Sequence, residues 1–249
     1  MAEATVGGGL DWLPDRVLCI SAHPDDSEFG YGATVARLAA EGSEVTYVVV
    51  TDGSQGGEDP AVPDSELALI REAEQRAAAE VLGVREVRFL GLPDGRVVAD
   101  VALRRLIVRE IRLARPQLVL TQSPVRALVS GGIGVDHPDH LATGEATLEA
   151  VYPDARNPRA FRDLLDEGLE PVRVEEVWIA APRGGDHLVD VSGFVDKKLE
   201  ALACHRSQLD HHSARPRGAL EQFIRERLAA AGEPAGYAAA EGFRRLTTR

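Results

Sequence analysis

Residues 16–28 read Arg-Val-Leu-Cys-Ile-Ser-Ala-His-Pro-Asp-Asp-Ser-Glu. The first six form a short apolar run, the pattern of a parallel strand buried on both faces. The run then gives way to titratable residues. Beyond them, residues 32–40 place Val35, Leu38 and Ala39 at helical spacing and end at Gly42. Residues 44–51, Glu-Val-Thr-Tyr-Val-Val-Val-Thr, are a second strand rich in β-branched side chains.

The alternation continues along the chain. A Gly/Pro/Asp-rich loop leads to a helix over 65–82, a strand over 86–90, a helix over 101–114 and a strand over 117–121. A long loop then leads to a helix over 139–151. Later strands are expected over 175–180 and 187–191, then a helix over 194–207. The Ala/Arg/Glu-rich tail reads as partly helical, over 216–231. Apolar strands alternating with helices predict an α/β fold, a Rossmann-like three-layer sandwich with a mostly parallel sheet. Ligands in such folds bind at the carboxyl ends of the strands. Residues 1–15 read as a flexible leader, 16–249 as a single domain, and the tail from about 210 as a helical extension.

Composition narrows the function. Forty acidic against 28 basic residues give a net charge of -12, which disfavours nucleic acid and anionic membranes as partners. No stretch approaches the ~18 consecutive apolar residues of a membrane helix. Two cysteines, Cys19 and Cys204, make no disulfide framework, and a cytoplasmic location is expected. No Gly-x-Gly-x-x-Gly follows the first strand, so a nicotinamide cofactor is not expected.

Two clusters carry chemistry. In His23-Pro24-Asp25-Asp26, a histidine and a carboxylate three residues apart can face one point, across a turn that Pro24 stiffens. Asp26 joining His23 on a metal leaves Asp25 towards the open side, as a general base for water. A bland alternative is a helix-capping turn. Asp136-His137-Pro138-Asp139-His140 repeats the His-Pro-Asp pattern at a helix start. Together the clusters supply His23, Asp26 and His140 as three ligands with a fourth position for water, the arrangement of a catalytic zinc site. His137 remains as a second imidazole, able to stabilise an oxyanion or protonate a leaving amine. A Cys204–His205 nucleophile is disfavoured, because adjacent helical residues point about 100° apart.

These residues resemble the LmbE-like, or PIG-L, family of N-acetylglucosaminyl deacetylases. Further matching marks are Val50-Thr51-Asp52-Gly53, Arg71-Glu72-Ala73-Glu74, Leu92-Pro93-Asp94-Gly95, His137-Pro138-Asp139-His140 with Gly144, and His205-Arg206-Ser207-Gln208. The resemblance implies metal ligands at His23, Asp26 and His140, a general base at Asp25, and an oxyanion-stabilising His137 oriented by Asp139. It implies substrate contacts at Arg71, Asp94 and His205. Against these stand the plainer readings of Arg71 as a surface helix residue, Asp94-Gly95 as a turn and His205 as a packing residue. The implied metal is zinc, with iron(II) as the alternative, and the implied substrate is a small N-acylated amino sugar or glycoside. Some relatives carry a tyrosine before the second histidine cluster, where this chain has Ile133-Gly134-Val135. Relatives often form trimers or hexamers, which leaves homo-oligomerisation open.

The expected reaction is metal-dependent N-deacetylation by activated water. The alternatives are an amidase for a larger cysteinyl-sugar or natural-product amide, a phosphoesterase, and a non-catalytic metal-binding scaffold.

Overall fold

The computed structural model describes residues 12–57, 59–126, 136–181, 185–209 and 218–248, and the backbone of 128–129 and 132–133. Strand β1 is Arg16–Ser21, followed by helix α1, Asp26–Glu41. Then come β2 (Glu44–Thr51), α2 (Asp64–Leu82), β3 (Glu86–Leu92), α3 (Val101–Ala114) and β4 (Leu118–Thr121). A small hairpin, β5 (Leu128–Val129) and β6 (Gly132–Ile133), precedes α4, Pro138–Glu149. The later elements are α5 (Asp163–Asp166), β7 (Glu176–Ala180), β8 (His187–Asp190), α6 (Val195–Leu202), α7 (Arg206–Leu209), α8 (Ala219–Gly232) and β9 (Ala240–Thr247).

Among the described residues, seven strands form one sheet in the order β3-β2-β1-β4-β7-β9-β8. The first five are parallel; β9 runs antiparallel to both β7 and β8. Alternate side chains of each strand build two cores. On one face Val17, Cys19, Tyr47, Leu118, Leu120 and Trp178 pack with α1, α2, α6 and α8. On the other, Leu18, Ile20, Val48, Val50, Val119 and Val177 pack with α3 and α4. The mostly parallel α/β sandwich read from the sequence is the fold observed. No helix among the described residues is long and apolar enough to cross a membrane.

Several expected elements change on folding. Helix α1 begins at Asp26 rather than 32, passing through non-helical angles at Tyr31 (φ -154°, ψ 24°) between Gly30 and Gly32. Poor helix formers at those positions hid its first turn. Helix α4 gives way at Glu149 to a π turn, Ala150–Asp154, containing Pro153; proline has no N–H to continue the ladder. The helix expected over 194–207 is broken into α6 and α7. The expected helical tail is corrected most: 219–232 is helical, but 240–247 is an interior strand of the sheet. Most of the expected leader and residues 210–217 lie outside the described residues.

The order places β1 beside β4 while their connections diverge to opposite sides, a topological switch point. The loops leaving β1, β2, β3 and β4 therefore meet at one end of the sheet.

Candidate metal centre

Strand β1 ends one residue before Ala22, whose N–H donates to Gln122 Oε1 beyond β4 (2.8 Å) and whose carbonyl accepts from Thr51 Oγ1 at the end of β2 (2.9 Å). Three strand ends are thus pinned before the chain reaches His23. Asp26 opens α1, and its Oδ2 accepts the His23 N–H at 2.7 Å. From the other side, His137 caps α4 with Pro138 in its first turn, which sets His140 pointing back across the switch point.

The three expected ligands come together. His23 Nδ1 lies 3.3 Å from Asp26 Oδ2 and 3.2 Å from His140 Nε2, which is 3.0 Å from Asp26 Oδ1. Tetrahedral zinc with bonds of about 2.0–2.2 Å spaces its ligands roughly 3.4 Å apart, so these atoms fit such an ion. Two ring nitrogens at 3.2 Å also require a cation or proton between them. Burial disfavours a charged His23, yet hydrogen bonds to Asp26 and Asp94 outweigh it and raise its pKa to about 10. Burial likewise opposes ionisation of Asp26, but His140 and His23 hold its carboxyl far below the usual range. The site is built around positive charge at the His23 edge that faces Asp26 and His140.

A second trio, His23, His137 and Asp139, is also close enough to share a metal. Its atoms are otherwise engaged. Fully buried Asp139 accepts the N–H groups of Gly95 (2.7 Å) and Val97 (3.1 Å) and lies 3.2 Å from His23 Nε2. His137 Nδ1 accepts the Asp139 N–H at 3.2 Å. His23, Asp26 and His140 are therefore the better metal donors.

Asp139 lies nearer to His23 than to His137, the imidazole it is expected to orient. Its carboxylate is 3.9 Å from His137 Nδ1 but touches His23, because the helix cap already occupies that nitrogen of His137. Capping leaves Nε2 as the protonated nitrogen of His137. Burial and the charge of His23 lower the His137 pKa, which favours the neutral ring.

Asp25 takes a left-handed backbone, φ 98° and ψ -24°, which costs a non-glycine residue on the order of 1–3 kcal/mol. Burial and the neighbouring Asp26 raise its pKa to about 7, against the opposing pull of Arg71 and His205. A carboxylate held near neutrality is tuned for proton transfer.

The expected substrate contacts Arg71, Asp94 and His205 are buried, at 3%, 4% and 1% exposure, and their polar atoms face the protein. Arg71 donates to the carbonyls of Gly53 (2.7 Å) and Pro24 (2.6 Å) and lies 3.3 Å from Asp25 Oδ2. Asp94 Oδ1 sits 3.0 Å from His23 Nε2, while Oδ2 accepts the Gln55 N–H. His205 faces Glu28 at 3.3 Å. In this structure all three side chains meet protein groups around His23, Asp25 and Glu28. The late motif docks on α2 as well: Ser207 donates through N and Oγ to Glu74, at 2.7 and 2.6 Å. Sequence reasoning gave no role to Gln75, Glu28 or Gln122. The signal for Gln75 was its place one helical turn after Arg71, on the same face. Of the Ile133-Gly134-Val135 stretch only the Ile133 backbone is described, and residues 134–135 lie outside the described residues.

A family described as GlcNAc-PI de-N-acetylase, PIG-L, matches residues 18–151. Diacetylchitobiose deacetylase of Thermococcus kodakarensis is 34% identical over 229 residues, covering 92% of this chain and 82% of that one. A probable N-acetyl-alpha-D-glucosaminyl L-malate deacetylase 2 of Bacillus anthracis is 31% identical, covering 78% of this chain and 81% of its own. Among solved structures, N,N'-diacetylchitobiose deacetylase from Pyrococcus horikoshii superposes with a TM-score of 0.83 at 31% identity, over 94% of this chain and 84% of that one.

Proposed function

Because the chain belongs to the PIG-L family of GlcNAc-PI de-N-acetylases, we propose that it hydrolyses the acetamide of a small N-acetylated amino sugar or glycoside, releasing acetate and the amine. The observation that carries the reading is the meeting of His23, Asp26 and His140 within 4.8 Å of one another, with Asp25 adjacent in the chain. These three residues would hold zinc, or iron(II), which two imidazoles and one carboxylate suit equally. When bound, the ion supplies Lewis-acid polarisation and a water of lowered pKa.

The remaining work falls to side chains. Asp25 accepts a proton from the attacking water and returns it to the departing nitrogen, so the amine leaves without a separate acid. His137, neutral and protonated on Nε2, donates a hydrogen bond to the developing oxyanion. Asp94 and Asp139 hold His23 with its Nδ1 towards Asp26 and His140. Arg71 anchors the turn that carries Asp25. The similarity to a diacetylchitobiose deacetylase and a probable N-acetyl-alpha-D-glucosaminyl L-malate deacetylase supports the substrate class. The two cysteines, both free thiols, suit a cytoplasmic enzyme.

The test is release of acetate from N-acetylglucosamine and its glycosides by native protein, chelated protein, chelated protein resupplied with zinc or iron(II), and Asp25→Ala. Turnover lost on chelation, regained with metal, and abolished in Asp25→Ala that still binds metal is the expected result. Failure of the protein to bind any divalent metal would sink the reading.

A further inference from the structure

The left-handed turn at Asp25 is held from one side by a buried amide. The Asp25 N–H donates to Gln75 Oε1 at 2.8 Å. Gln75 is fully buried, and its Nε2 donates to Glu28 Oε1 at 3.0 Å. Glu28 is fully buried too, and its second oxygen faces His205 Nε2 at 3.3 Å. An N–H must meet oxygen and a carboxylate must meet N–H, so the amide can sit in only one sense. Reversed, it would set donor against donor and acceptor against acceptor in a buried place.

The turn matters because Asp25 and Asp26 are neighbours with different tasks. With Asp25 left-handed (φ 98°), Asp26 turns to His23 and His140 while the Asp25 carboxylate turns to Arg71. An ordinary backbone at Asp25 would swing its carboxylate to another direction.

We propose that Gln75 is a positioning residue for the hydrolysis: it clamps the main chain of Asp25 so that the base keeps its direction, and Glu28 fixes which end of the Gln75 amide faces Asp25. The proposal rests on Asp25 being the base. Gln75 makes no contact with substrate and acts only through Asp25.

The experiment compares Gln75→Leu, and the paired exchange Gln75→Glu with Glu28→Gln, against the wild type. It reads kcat and KM on an N-acetylated amino sugar, bound metal per chain, and the Asp25 backbone in crystal structures. Gln75→Leu removes the acceptor at similar volume. Its kcat is expected to fall tenfold or more, since small misplacements of a reacting group carry penalties of that order. KM should stay within twofold and metal content should not change, a split that general loss of structure does not produce. Asp25 should leave the left-handed region. The exchange returns an acceptor to Asp25 and a matched partner to it, and should restore kcat to within about threefold of wild type. The proposal is overturned if Gln75→Leu keeps kcat within threefold, keeps Asp25 left-handed, or loses metal in step with activity. It is overturned equally if the exchange fails to recover kcat. A wild-type protein with no turnover would refute the deacetylase reading instead, and the Asp25 backbone in the variant structures would still decide the clamp.

Discussion

His23 Nε2 lies 3.0 Å from Asp94 Oδ1, while Nδ1 of the same ring faces Asp26 and His140. Asp94 thereby fixes the tautomer: with the proton on Nε2, the Nδ1 lone pair is presented towards Asp26 and His140. Carboxylates in this position raise ligand basicity, and losing one weakens metal binding about 10–100-fold. Asp94→Asn is therefore expected to raise the zinc Kd by at least tenfold, measured by competition with a chromophoric chelator. Asp139, 3.2 Å from the same nitrogen, keeps the ring oriented well enough for the variant to fold. A Kd within twofold of wild type would show that Asp94 does not tune the ligand.

The raised pKa of Asp25 has a stability consequence in metal-free protein. Its folded value, about 7, stands above the ordinary 3.8, so the folded state binds the proton more tightly than the unfolded state does. Stability from this group is present below pH 4 and is lost as pH rises from about 4 to 7. Asp25→Asn, neutral at every pH, should therefore melt higher than wild type at pH 8. The penalty removed is about 4 kcal/mol, roughly 10 °C in a chain of this size. Near pH 4 the two melting curves should converge. Thermal melts of chelated protein across this range test it, and an unchanged gap between pH 4 and 8 would contradict the assignment.

The sheet was legible where strands are buried on both faces, because β1, β2 and β4 then read as continuous apolar runs. Helix α3 was legible to the residue, since Leu103, Ile107 and Ile111 mark one face. Strand β9 was not. Its sequence, Ala-Glu-Gly-Phe-Arg-Arg-Leu-Thr, looks like exposed chain, yet Glu241 is buried against Lys198, and Arg245 pairs with Glu176 on β7. Partners distant in sequence neutralise those charges, and no local pattern reports them. The site shows the same division. The metal trio follows from spacing within two short motifs, whereas the inward contacts of Arg71, Asp94 and His205 are made with residues distant in sequence, Pro24, His23 and Glu28.

Gly144 tests how tightly α4 must approach the sheet. A β-carbon there would stand 2.5 Å from the Gln122 carbonyl oxygen and 2.9 Å from Pro124 N, both main-chain atoms that cannot swing aside. The same helix face carries His140, one turn earlier. Gly144→Ala should therefore cost about 1–3 kcal/mol in urea unfolding and move His140 off Asp26, raising the zinc Kd more than tenfold. Unchanged stability together with unchanged affinity would mean the loop after β4 yields freely.

Lys198 and Glu241 bind the end of the chain to the fold. Lys198 Nζ lies 2.5 Å from Glu241 Oε1 and donates to the Phe29 carbonyl at 3.0 Å. Glu241 also accepts the N–H groups of Ala33 (3.3 Å) and Thr34 (2.7 Å). Both side chains are almost wholly buried, so the pair ties α6 and β9 to α1. Its net contribution need not be large, because burying two charges offsets much of their attraction. Removing one partner is different, since the other is left charged in a poorly solvated place, at about 3–5 kcal/mol. Lys198→Met should lower stability by that amount in chemical unfolding at pH 7. Adding Glu241→Gln removes the stranded charge while keeping an amide oxygen for the main-chain donors, and should recover a large part of the loss. If Lys198→Met costs under 1 kcal/mol, or the second substitution deepens the loss additively, the two groups are not coupled and β9 is held by its ladder alone.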